Sequence, residues 1–190
     1  KEWLLVASKR VLAFDFGASS GRAILATYAD GKIAMQEIHR FSNDPVNLCG
    51  TLYWDVQRLF FEIKQGITKA VHQGGFDAIG IDTWGVDFGL LDAHGQLVAN
   101  PVHYRDERTV GMMEKAYEKV PQQELYDRTG IQLMRLNTVF QLVSLAENRP
   151  DLLERAETML LMPDLLAYFL TGAKYAEYSE VSTTQMLDPK

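Results

Sequence analysis

The octapeptide Asp15-Phe16-Gly17-Ala18-Ser19-Ser20-Gly21-Arg22 constrains this chain more than any other stretch. An apolar run, Val11-Leu12-Ala13-Phe14, precedes it and another, Ala23-Ile24-Leu25-Ala26, follows it, so it reads as the turn between two strands. Glycine suits such a turn because it tolerates φ > 0 and lets the backbone come close to a ligand. A turn alone has no need of a carboxylate at its entry, two adjacent hydroxyls in its middle and an arginine at its exit. Those are the parts of a phosphate and metal site. Successive N–H groups in a turn form an anion-binding concavity, which makes Ala18, Ser19, Ser20, Gly21 and Arg22 the candidate phosphate holders. Asp15, at the end of a buried strand, is a candidate Mg²⁺ ligand, directly or through water, since that ion prefers carboxylate and phosphate oxygens. A polar hairpin with a solvated arginine satisfies the same grammar. Two better-known phosphate loops are excluded: no Gly-Lys-Ser/Thr follows, the Gly-x-Gly-x-x-Gly fingerprint is missing, and a strand rather than a helix comes next.

Stretches 11–15, 23–28 and 33–41 read as three consecutive strands, with Asp30-Gly31 as the hairpin signal between the second and third. Asp44 to Gly50 reads as a loop rich in turn formers. Val56, Leu59, Phe60, Ile63, Ile67, Ala70 and Val71 follow helical spacing and predict a helix over 56–71, stopped by Gly74-Gly75. Ile79 and Ile81 predict a short buried strand over 78–82. Residues 86–91 predict another, turned back at Asp92-Ala93-His94-Gly95 into a further hairpin. Helices are expected over 107–119, 122–129, 138–148 and 151–155, then a strand over 158–162. Pro163-Asp164 opens a last helix to about Thr171, with Gly172 as its stop. An antiparallel three-stranded start followed by a helix and a strand gives a mixed sheet with flanking helices. The expected fold is therefore α/β of the ribonuclease-H-like type, not a purely parallel doubly wound one.

Composition removes several classes of function. Net charge is −6 with no Lys/Arg cluster, so nucleic acid is not an expected partner. Cys49 is the only cysteine, which rules out an internal disulfide and a Cys/His zinc arrangement. His39, His72, His94 and His103 are scattered without metal-ligand spacing. The longest apolar region, 159–170, is broken by Pro163 and Asp164 and is too short for a bilayer. Residues 1–10 lack the length and cleavage site of a signal peptide and read as an N-terminal extension to a domain over 11–190. The expectation is a soluble cytoplasmic protein with no membrane partner.

A second polar constellation follows the predicted strand at 78–82. Trp84 offers a flat apolar face for the C–H side of a sugar, Gly85 lets a polyol reach the backbone, and Asp87 can accept from hydroxyls. A core tryptophan and a capped strand end fit the pattern equally. Tyr104-Arg105-Asp106 offers an aromatic face and two polar groups, or a strand-end ion pair with Arg108.

Four stretches together resemble the FGGY family of carbohydrate kinases, within the actin, Hsp70 and sugar-kinase superfamily. They are the Asp15–Arg22 octapeptide, Gly80-Ile81-Asp82-Thr83-Trp84-Gly85-Val86-Asp87-Phe88, Tyr104-Arg105-Asp106-Glu107-Arg108-Thr109 and Leu161-Met162-Pro163-Asp164. The resemblance runs from about Val11 to the end of the chain, and the second stretch matches family members that act on L-rhamnulose. It implies ATP and Mg²⁺, with the γ-phosphoryl group passing to the 1-hydroxyl of the ketose. It implies a substrate contact at Gly85, with Tyr104 in the sugar pocket and Trp84 and Asp87 joined to it by adjacency. It also implies that the general base lies in a His-Asp-Thr-like motif of a second domain. This chain has no His-Asp pair, so it holds no catalytic residue of its own and is expected to be inactive alone. Self-association through an exposed interdomain face is a further expectation. Kinases for xylulose, ribulose or fuculose, a non-catalytic sugar-binding module and an actin- or chaperone-like ATPase are the alternatives.

Overall fold

The computed structural model describes residues 8–189. In chain order it has β1 (Lys9–Phe16), β2 (Ser20–Ala29), β3 (Lys32–Ser42), β4 (Val46–Leu48), β5 (Thr51–Tyr53), α1 (Val56–His72), β6 (Ala78–Asp82) and β7 (Phe88–Leu91). Then come α2 (Met112–Tyr117), α3 (Gln122–Thr129), α4 (Thr138–Asn148), α5 (Pro150–Arg155), β8 (Thr158–Leu161), α6 (Met162–Thr171) and α7 (Tyr178–Ser182). Two compact units share the chain: Lys1–Asp44 with Val56–Trp84, and Pro45–Asp55 with Gly85–Lys190. Most of the expected extension over 1–10 lies outside the described residues, and β1 already begins at Lys9.

In the first unit the strand order is β3-β2-β1-β6, antiparallel between β1, β2 and β3 and parallel between β1 and β6. Alternation buries Leu12, Phe14 and Phe16 of β1 beside Ala23 and Leu25 of β2. Helix α1 covers this face with Leu59, Ile63, Gly66 and Ala70, which recur at helical spacing. Burying each larger side chain contributes about 1.5–3 kcal/mol. The helix comes close because position 66 is glycine: a Cβ there would sit 2.6 Å from the Phe14 ring. A polar tie joins α1 to β3. Buried Glu62 accepts from Arg58 and, at 2.6 Å, from His39 Nε2, while Lys69 donates to His39 Nδ1 at 2.8 Å. On the other face of the sheet Tyr28, Ile33 and Met35 remain exposed.

The second unit is built around the antiparallel pair β7–β8. Phe88, Leu90, Val98, Leu145 and Leu161 form its core, with Leu152 and Met159 packed against them. Helix α6 lies close to β7, where a Cβ on Gly89 would meet Leu165 Cδ2 at 2.7 Å. Gly172, left-handed at φ 72°, ends α6 as its sequence predicts.

Several local expectations change. The predicted loop over 44–50 holds the first strand and the turn of a hairpin, β4–β5, turned by Cys49 and Gly50, both at positive φ. Asp30-Gly31 makes the same kind of turn, and there the sequence carries the usual signal. The helix expected over 107–119 is a 3₁₀ turn at Glu107–Thr109 and then α2, interrupted by left-handed Gly111. Strand β6 is not buried. It is a sheet edge among the described residues, and Ile79 is 38% exposed. The hairpin expected after Asp92 is present but short. Asp92 N donates to Gln96 O and Val98 N to Leu90 O around one bridge, Leu91 to Leu97, while the longer ladder of β7 is with β8.

Candidate functional site

Asp15 is paired with Arg22 across the β1–β2 ladder, so both side chains project from the same face beside the turn. Arg22 donates to Asp15 Oδ2 through Nε at 2.8 Å, and its Nη2 lies 2.6 Å from the same oxygen. The turn between them is closed by Gly17 N to Ser20 O at 2.9 Å. Buried Asn43 braces it from behind, donating through Nδ2 to Gly17 O at 2.8 Å and through its backbone N to Ser19 O at 3.0 Å. Ala18 and Ser19 are exposed and Ser20 half-buried, which leaves the tip of the turn open to a ligand. Neither Gly17 nor Gly21 has positive φ. The reason for glycine is space: a Cβ on Gly21 would lie 2.2 Å from Phe41 Cζ.

Parallel pairing sets Asp82 directly beside Asp15 at the carboxyl ends of β1 and β6. Ligands of α/β sheets gather at such strand ends. No group of three or more His, Cys, Asp or Glu among the described residues is placed to hold a metal by itself. The donor set does fit Mg²⁺ carried by a phosphate ligand, since that ion commonly takes one or two carboxylates, phosphate oxygens and waters. Asp82 as a neighbour of Asp15 was not singled out from the sequence, because strand register was the missing information.

In the second unit Gly85, Val86 and Asp87 form a tight turn. Asp87 N donates to Gly85 O at 3.0 Å and Val86 has φ 71°, the geometry of a γ-turn of the strained hand. Asp87 is completely buried. Its Oδ2 accepts from Trp54 Nε1 at 2.6 Å and from Tyr104 N at 3.1 Å, and its Oδ1 accepts from Gln141 Nε2 at 2.9 Å. The carboxylate expected to meet sugar hydroxyls is engaged by these three donors. The direction of Gly85's missing side chain is also taken, since a Cβ there would lie 2.9 Å from Thr183 Oγ1. Half-buried Tyr104 ends a row of rings, with His103 4.5 Å away and Trp54 stacked on His103 at 4.0 Å. Trp84, in the first unit, is half-buried, and the Thr83 hydroxyl donates to its carbonyl.

Burial holds the His103 imidazole at a pKa of about 4, with the Arg105 charge adding to the depression and Asp106 opposing it. The neutral ring accepts from Arg105 N at Nδ1. Asp106 makes no exposed ion pair: its oxygens accept from Leu52 N and Arg108 N. The Arg108 side chain turns inward, donating to Gln141 Oε1 and lying over the Phe88 ring, and burial lowers its pKa against the pull of Asp87 and Asp106. A cavity of about 330 Å³ lies beside it, lined by Tyr53, Phe88, Asn100, Asp106, Arg108 and Ser144 among others. Gly85, Asp87 and Tyr104 do not line it. Trp54, Asn43 and Gln141, which brace the expected site residues, carry no local sequence signal.

The profile of the FGGY family of carbohydrate kinases, N-terminal domain, matches residues 10–190. The chain belongs to the FGGY family. Among curated FGGY relatives, a rhamnulokinase from Oceanobacillus iheyensis is 44% identical over 178 residues, covering 93% of this chain and 38% of the relative. One from Bacteroides thetaiotaomicron is 43% identical over 177 residues, covering 93% and 36%. This chain thus spans well under half the length of the FGGY relatives it matches. A gluconate kinase from Lactobacillus acidophilus superposes with a TM-score of 0.83 at 17% identity, covering 96% of this chain and 37% of that one. A xylulose kinase from the same organism gives 0.82 at 17% identity, covering 95% and 37%. Those likenesses establish the fold, which is the α/β, actin/Hsp70-type arrangement of sugar kinases that the sequence predicts.

Proposed function

We propose that this chain is part of a cytoplasmic kinase that transfers the γ-phosphoryl group of ATP to the 1-hydroxyl of L-rhamnulose. The observation that carries the proposal is the 44% identity with a rhamnulokinase across 93% of the chain. The exposed turn between Asp15 and Arg22 supports the phosphate role. Backbone N–H groups of Ala18 to Gly21, the Ser19 and Ser20 hydroxyls and Arg22 would hold phosphate oxygens. Asp15, with Asp82 beside it, would hold Mg²⁺ directly or through water. When bound, that ion neutralises charge on the β- and γ-phosphate oxygens. Gly85, Trp84 and Tyr104 would meet the ketose, while Asp87 keeps the turn in shape.

Calorimetry with L-rhamnulose, xylulose, ribulose and fuculose tests the proposal. Heat for L-rhamnulose at millimolar ligand, exceeding that for the other three, is the expected result. Tighter binding of another ketose would replace the substrate, and silence from all four would remove the sugar site.

A further inference from the structure

Val86 is β-branched and has φ 71°. A bulky residue in that region is a true outlier, and such strain persists only where the surroundings over-determine it. Two distant segments do so here. From α4, Thr138 Oγ1 donates to Val86 O at 2.7 Å and Gln141 Nε2 lies 3.3 Å from the same oxygen. From beyond α7, 97 residues along the chain, Thr183 Oγ1 accepts from Val86 N at 3.1 Å. The same hydroxyl donates to Glu180 O at 2.8 Å, so its proton has a fixed direction and its lone pair is left for Val86. Thr183 also fills the space where any side chain at Gly85 would stand, with Cγ2 3.0 Å from the point a Cβ would occupy.

Thr183 is itself held firmly. Its neighbours Thr184 and Gln185 are each 1% exposed. Thr184 O accepts from Val139 N at 3.1 Å, at the start of α4. Gln185, left-handed at φ 61°, accepts from Asn137 Nδ2 at 2.8 Å and donates to Ile131 O at 3.1 Å. The anchoring extends through residues whose shared effect is to bring one hydroxyl to one amide.

We propose that Thr183 is a positioning residue for sugar recognition: it locks Gly85–Val86–Asp87 in its strained turn, so that the backbone at Gly85 is presented to the ketose already shaped. This rests on Gly85 being a sugar contact. Without Thr183, Val86 is held only through its carbonyl, by Thr138 and Gln141, so it visits negative φ more often. The turn must then be re-formed on binding, which weakens affinity without touching the sugar.

The test compares wild type with Thr183→Val, which keeps the shape and removes the acceptor, and Thr183→Ser, which keeps the acceptor. Amide exchange at Val86 and Asp87 reads the clamp, and calorimetry with L-rhamnulose reads its consequence. Thr183→Val is expected to keep its circular dichroism, exchange Val86 N–H about tenfold faster and bind the ketose about tenfold more weakly. Thr183→Ser is expected to stay within about threefold of wild type in both. Unchanged Val86 exchange in Thr183→Val overturns the clamp. Faster exchange with unchanged ketose affinity overturns its role in recognition. If wild type binds no ketose, the sugar assignment itself falls, and the positioning role falls with it while exchange still reports the clamp.

Discussion

His103 shows how one residue's surroundings set a property that its type does not. Packed against Trp54 and accepting a backbone hydrogen bond at Nδ1, it is held neutral, with a pKa of about 4 in place of 6.5. Between those values the unfolded chain binds a proton that the folded one refuses. Stability is therefore complete above pH 6.5 and falls as pH drops toward 4, by at most about 3 kcal/mol. Urea titrations at a series of pH values should show this slope, and His103→Asn, which keeps an acceptor but does not titrate, should flatten it. Equal slopes in the two proteins would remove the effect. Gly21 makes a steric case. Because a Cβ there meets the Phe41 ring at 2.2 Å, Gly21→Ala should lose about 1–3 kcal/mol by overpacking, and adding Phe41→Leu should restore part of it. A Gly21→Ala protein as stable as wild type in urea would show that the ring moves freely. Gly17 and Gly21 are conspicuous in the sequence, but negative φ at both means that packing, not left-handed backbone, explains them.

At the scale of elements, the tie between α1 and β3 is where charge and packing meet. Glu62 is 3% exposed, yet it sits on the helix face that the apolar periodicity marks as core. His39 and Arg58 make that burial tolerable, and Lys69 on Nδ1 fixes the imidazole proton on Nε2, facing the carboxylate. Glu62→Gln should destabilise the chain by about 2–3 kcal/mol, because a buried partner is then left with a weaker acceptor. A loss below about 0.5 kcal/mol in chemical denaturation would mean that solvent already serves His39. Element limits that depend on near neighbours were legible: α1, α3, α4 and α6 lie within a residue or two of their predicted spans. Pairing was less so. Strands β6 and β7 were recognised as strands, but the exposed edge position of one and the β8 partner of the other come from segments far along the chain.

At the scale of the whole molecule, Asp15 and Asp82 are assigned to Mg²⁺ in the proposed function, and none of the proposed sugar contacts is given the role of general base. The chain by itself is therefore expected to produce no ADP from ATP and Mg²⁺ when L-rhamnulose is added. Turnover in a coupled assay that Asp15→Ala abolishes would overturn this and place a base among the chain's own residues. Where no turnover is seen, nucleotide binding distinguishes a missing base from a misassigned turn, since only the second leaves Asp15→Ala without effect on it.

The sequence by itself determined the order of elements, the antiparallel start of the sheet, the polar turn at Asp15–Arg22 and the second constellation at Trp84–Asp87. These are written in hydrophobic periods and turn residues, which act over a few neighbours. Tertiary structure alone decided which partners those residues have. It set Asp82 beside Asp15 through strand register and turned Asp87 inward onto Trp54, Tyr104 and Gln141. It also brought Thr183 across 97 residues to Val86. A buried carboxylate and an exposed one are the same letter, and only the partners that the fold assembles around them tell the two apart.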